Sequence, residues 1–166
     1  MQTKEPFAGV LYLPTKASLL LWTTLVVAIL DGIAAIIVYR LFYGYNPVQI
    51  YQFVASAIMG NAAYAGGLPV ALLGLFFHFL IAFVSSYLFI QLYPSVGLLR
   101  SNKIGIGLAY GATVWVVMNL LVFPLTKLPP ASFDIVALIS LAWHMLLVGL
   151  PISLLASYFY QQRAMA

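Results

Sequence analysis

Long apolar runs dominate the chain, and only a few polar or turn-forming residues break them. A helix that crosses a hydrocarbon core roughly 30 Å thick needs about 20 predominantly apolar residues. Four runs reach that length, over about 18–42, 70–93, 104–125 and 135–159. The pattern predicts an all-α membrane protein, a four-transmembrane-helix bundle forming a single integral membrane domain over 1–166, with no soluble domain appended. The first run is too long for a signal-peptide core, and Asp31 interrupts it, so it is expected to be a retained helix.

The longest connection joins the first two runs. "YNPVQIYQFVASAIMG" predicts a short interfacial helix over about 47–59. Asn46 suits the N-cap, Pro47 the first helical position and Gly60 the stop. Gln49, Gln52 and Ser56 share one face, which suits a helix lying on the outer membrane surface or capping the bundle. A re-entrant element is the alternative. In "PLTKLPPASFD" the prolines forbid continuous helix, and Ser132 is the expected cap of the last span.

Composition strengthens the membrane assignment. The chain is 64% hydrophobic and 6% charged, against about a quarter charged for a soluble domain. Lipid must therefore be its main solvent and partner. With no cysteine, disulfides, thiolate metal sites and cysteine nucleophiles are excluded. The net charge of +4 comes from basic residues at the ends of the runs and calls for no nucleic acid. Lys4, Lys16, Arg100, Lys103 and Arg163 fall on one side of a four-span topology, and Arg40 and Lys127 on the other. The positive-inside rule then puts both termini in the cytoplasm. Tyr39, Phe42, Tyr43 and Tyr45 at one boundary, and Tyr158, Phe159 and Tyr160 at another, suit the headgroup level.

Against this apolar background the histidines stand out. There are two, His78 in "ALLGLFFHFL" and His144 in "ALISLAWHML". At their offset of 66 residues (144 against 78), Ala71, Leu72, Leu75 and Leu80 match Ala137, Leu138, Leu141 and Leu146. Spans one and three match more loosely, Gly32 beside Gly111. The echo suggests two repeated helical hairpins. Counted from the outer ends at 1.5 Å per residue, Asp31, His78 and His144 each lie roughly 13 to 15 Å deep. Asn119 sits a little higher. All four spans thus bring a polar group to one level. An ionised carboxylate in hydrocarbon is costly, so Asp31 must be protonated, paired or hydrated. An imidazole is its natural partner, sharing a proton with it or being oriented by it. Ser140, four residues before His144, is placed to bond to it. A histidine in such a bundle also serves simply to bond across helices.

Other motifs concern packing. Gly107 and Gly111 form a GxxxG pattern. Gly149, Ser153 and Ser157 make a small-residue ridge on the fourth span, which Pro151 should kink, and Ala28 and Gly32 a shorter ridge on the first. Trp115 and Trp143 lie inside spans and read as bundle filler. No phosphate loop, HExxH motif or Ser–His–Asp set is present, and the chain has three acidic residues in all: Glu5, Asp31 and Asp134.

Asp31-Gly32, "HFLIAF", "YGATVWVVMNLLVFPL", "LPPASF" and "HMLLVGLP" together give the chain a pattern that resembles a loose group of small, uncharacterised four-span bacterial inner-membrane proteins. The resemblance implies a bacterial membrane location and supplies no activity.

Three functions of different class fit these residues. The first is a non-catalytic accessory or interaction subunit of a larger membrane complex, with other membrane subunits or itself as partner. The second is a redox bundle that binds haem b through His78 and His144, supported by Asp31 and Asn119, or that contacts a quinone headgroup through the same residues. The metal would then be the haem iron. The third is a proton-linked transporter or channel that uses Asp31, His78 and His144 as a relay.

Overall fold

The computed structural model describes residues 15–128 and 133–164. Among them there are helices and turns and no strand. Four helices are long and apolar enough to cross a membrane: α1 (Lys16–Tyr43), α3 (Gly67–Leu92), α5 (Lys103–Leu125) and α6 (Ile135–Ala164). The protein is a multi-pass, all-α four-helix bundle, and its helix ends fall within five residues of those predicted. Between α1 and α3 lies α2 (Pro47–Met59), and a single turn, α4 (Leu98–Ser101), precedes α5.

Local chemistry sets the helix ends. Thr15 and Ser18 form a reciprocal capping box that starts α1, and Gly44, at φ 71°, ends it in the left-handed region. Asn46 caps α2 by accepting from the Gln49 N–H, Gln49 answers by accepting from the Asn46 N–H, Pro47 opens the first turn, and Gly60 stops the helix. The last span corrects an expectation. Its cap is Asp134, whose Oδ1 accepts from the Ala137 N–H at 3.0 Å. Ser132, the residue expected there, lies outside the described residues, as do Lys4, Glu5 and the prolines at 129 and 130.

Both spans of the second hairpin are irregular at mid-helix. In α5 a π turn runs over Val117–Val122, and in α6 another runs over His144–Gly149. Each ends two residues before a proline, Pro124 or Pro151. A proline has no N–H for the carbonyl four residues back. The residue just before each proline bonds five residues back instead, Phe123 to Met118 and Leu150 to Met145. This widening is the form that the expected kink at Pro151 takes.

Close packing falls where glycines allow it. Gly107 and Gly111 of α5 lie directly against Gly149, Leu150 and the His144–Met145 backbone of α6, where any Cβ would collide. Gly74 of α3 receives the backbone of α2 at Tyr51 in the same way. α2 therefore leans into the bundle and buries Gln52 and Ser56 of its polar stripe, while Gln49 stays exposed at the first turn. Gln52 donates to the Gly67 carbonyl, and Ser56 to the Phe53 carbonyl. In each hairpin a glycine of the first helix abuts the histidine of the second, Gly32 at the His78 ring and Gly111 at the His144 carbonyl. The likeness between the hairpins ends at the π turns, which α1 and α3 lack.

The core fills the end of the bundle where α1 begins and α6 ends. Leu19, Phe89, Ile90, Ile152, Ala156 and Phe159 interlock there. At that end α3 and α5 meet, the Tyr110 hydroxyl donating to the Ser85 carbonyl at 2.7 Å and its ring lying 4.8 Å from Phe89. Toward the other end the two helices separate. α2 bridges the gap, with Phe53 edge-on to Phe123 and the Ala57 carbonyl accepting from the Lys127 N–H. A cavity lies beneath α2.

Candidate functional site

Asp31 follows Val27 and Ala28 by four and three residues on the buried stripe of α1, so its carboxylate points inward. Two other spans converge on it. The Trp143 indole N–H of α6 donates to Asp31 Oδ1 at 2.7 Å. His78 Nδ1 of α3 lies 3.8 Å from Oδ2, and His144 Nε2 of α6 lies 3.8 Å from Oδ1. The three side chains are 13–19% exposed, so neither imidazole is turned out to lipid.

The far side of each ring fixes its protonation pattern. His78 Nε2 is 2.8 Å from the Ala28 carbonyl, and His144 Nδ1 is 2.7 Å from the Ser140 carbonyl. A carbonyl only accepts, so each of these nitrogens carries a hydrogen. In a neutral ring the other nitrogen is then a bare lone pair. Those bare nitrogens are the two that face Asp31. With both rings neutral, the carboxylate has one donor, Trp143, and looks out at two further acceptors. A proton placed on either ring turns one of these repulsive contacts into an ion pair.

Supporting contacts hold this arrangement. Ser140 Oγ accepts from the Trp115 indole at 2.7 Å and donates to the Ala137 carbonyl, fixing the turn whose carbonyl holds His144. Trp143 stacks on His144, their rings 5.6 Å apart and inclined by 22°. Tyr51 of α2 meets His78 edge-on at 5.9 Å, and its hydroxyl occupies the space left by Gly32. Burial, and secondarily the charge of Asp31, push the Tyr51 phenol up, so it stays protonated.

The triad forms part of the wall of a cavity of about 340 Å³. Phe53, Phe77, Trp115, Phe123 and Trp143 supply much of the remaining lining. Between α3 and α5 the cavity opens sideways. Leu80, Ile81, Val114 and Met118 line both the cavity and the groove that continues from it. That groove runs past Val84, Leu88 and Val117, which are exposed on the surface facing lipid. Asn119 also lines the cavity, but its amide donates back to the Trp115 carbonyl and is not brought to the carboxylate.

Haem does not fit this arrangement. Two axial imidazoles must face one iron, whereas here each faces its own oxygen of Asp31, and His78 has its Nε2 committed to Ala28. Among the described residues no group of three or more His, Asp or Glu side chains is arranged to hold a metal ion.

Sequence reasoning placed Asp31, His78 and His144 at one depth, and the structure brings all three together. It missed Trp143, which read as filler because an indole is mostly apolar, and Tyr51, which lies on α2. Comparison of the chain with family models, with curated proteins and with solved structures finds no match.

Proposed function

We propose that this chain is a non-catalytic binding protein that takes a small amphipathic molecule laterally from the bilayer into the cavity beside Asp31. One observation carries this reading: the cavity is apolar along most of its wall, polar at the triad, and open toward lipid between α3 and α5. A ligand dissolved in the membrane reaches such a site without crossing water. Its head meets Asp31, His78 and His144 while its body stays among aromatic side chains. The reading as an accessory or interaction subunit rests on the small-residue ridges. Those of α5 and α6 are consumed within the chain, Gly107 and Gly111 against Gly149, and Gly32 lies under Tyr51.

The same proposal places the protein in a bacterial inner membrane, among the small four-span group that its segments resemble. Lys16, Arg100, Lys103 and Arg163 gather at the end of the bundle where α1 begins and α6 ends, which supports a cytoplasmic position for that end.

The tryptophans supply the test. Trp115 and Trp143 line the cavity, whereas Trp22 is 48% exposed on the surface. In a Trp22→Phe protein reconstituted in nanodiscs, neutral 4-tert-butylbromobenzene should quench the two remaining indoles saturably. Filling the opening with Val114→Phe and Met118→Phe should abolish saturation. Quenching that rises linearly with probe in both proteins would overturn the reading.

A further inference from the structure

We infer that the ligand of this cavity is a lipophilic monocation, held by the Asp31 carboxylate and the imidazole lone pairs turned toward it. This rests on the binding reading above and names its ligand class. Among the described residues, the ion pairs of Asp31 are with the two imidazoles alone, and no lysine or arginine is fixed beside it.

The hydrogen-bond pattern favours a cation. Both rings spend their N–H groups on backbone carbonyls, Ala28 and Ser140. When neutral they present only lone pairs toward Asp31. The triad is then a net anion with three acceptor atoms turned to one place, inside a wall of low polarity. Such a charge is costly in hydrocarbon unless it is compensated. A ligand cation compensates it. A second, independent feature favours an organic cation over a hydrated one. Trp115, Trp143, Phe53, Phe77, Phe123 and Tyr39 line the same cavity, and aromatic faces attract weakly hydrated cations. The opening between α3 and α5 is lined mostly by apolar side chains, which suits such an ion better than a strongly hydrated one.

The groups that face the carboxylate are His78 of α3, His144 of α6, Tyr51 of α2 and Tyr39 of α1, while α5 presents Trp115, Met118 and Asn119 to the cavity. None of them is a lysine or arginine, so no fixed cation competes for the place a ligand's charge would take.

The experiment uses the full chain with Trp22→Phe in nanodiscs and two isosteric probes, (4-bromophenyl)trimethylammonium and neutral 4-tert-butylbromobenzene. Saturable quenching should show the cation binding at least tenfold more tightly than its isostere. Asp31→Asn should remove the preference while the isostere still binds. Equal binding of both probes overturns the inference and leaves the cavity reading standing. Failure of both probes to bind saturably overturns the two together.

Discussion

The indole nitrogen of Trp143 sits 2.7 Å from Asp31 Oδ1, and this is the shortest contact the carboxylate makes among the hydrogen bonds and ion pairs described. The two imidazole contacts, at 3.8 Å, are longer by more than an ångström. Trp143 therefore sets the direction in which the carboxylate points, and the histidines set its charge. Replacing it with Phe removes the one uncharged donor and keeps most of the packing on His144. We predict that Trp143→Phe costs about 1–2 kcal/mol, since hydrogen bonds to charged groups are worth more than neutral ones, while bonds inside membranes average less than their vacuum strength suggests. Trp115→Phe breaks a bond between two neutral groups, indole and Ser140 Oγ, and should cost less. Steric-trap unfolding in mild detergent compares the two. A larger loss for Trp115→Phe would show that the carboxylate is held by something else.

Packing between α5 and α6 leads to a second prediction. A Cβ on Gly149 would overlap the Gly107 carbonyl and the Gly111 backbone. Neither is the flexible end of a side chain, so the helices must part. Gly149→Ala should destabilise by about 2–4 kcal/mol, at or above the usual cost of overpacking. Gly44→Ala meets no neighbour within 4 Å and is strained only by its φ of 71°, so it should cost about 1 kcal/mol. Thermal unfolding in one detergent separates them. Equal shifts would mean that α5 and α6 relax apart freely.

Much of this fold was legible because its determinants are local. Apolar run length fixes the spans, and Asn46, Pro47 and Gly60 bound α2 through their own backbone chemistry. The convergence of Asp31, His78 and His144 was legible for a related reason: helix rise is constant, so counting residues gives depth. What was hidden depends on neighbours distant in sequence. The π turns of α5 and α6 depend on how the helices pack around Pro124 and Pro151. Gln52 and Ser56 read as a stripe on a helix lying on the membrane surface or capping the bundle, and only the close approach at Gly74 shows that both are covered. Which imidazole nitrogen is bare depends on where the carbonyls of Ala28 and Ser140 lie, and residue type says nothing about that.

Buried hydroxyls supply a third prediction. Thr23 is fully buried on α1, and its hydroxyl has no hydrogen-bond partner among the described residues. Ser153 is equally buried on α6, and its hydroxyl donates to the Lys103 carbonyl at 2.7 Å. An unpaired buried hydroxyl costs about 1–3 kcal/mol, whereas a paired one contributes about 0.5–1.5 kcal/mol. Thr23→Val keeps the shape and removes the unpaired group, so it should raise stability by up to about 1 kcal/mol. Ser153→Ala should lower it by about 1 kcal/mol. Opposite signs in thermal or steric-trap unfolding are the expected result. A loss for both would reveal a partner for Thr23.

The link between α2 and the triad can be tested by a rescue. A Cβ at Gly32 would come within 2.9 Å of the Tyr51 hydroxyl and 3.4 Å of His78 Nε2. The first contact is a clash, and the second asks the ring to give by a few tenths of an ångström. Gly32→Ala should therefore push Tyr51 away, unseat α2 at Gly74 and cost about 1–3 kcal/mol. Tyr51→Phe deletes only the clashing oxygen. In the double variant Gly32→Ala, Tyr51→Phe most of that loss should return, giving a coupling energy of about 1 kcal/mol or more in a double-mutant cycle. If the two effects simply add, Tyr51 does not fill the space that Gly32 leaves, and α2 is seated by Gly74 alone.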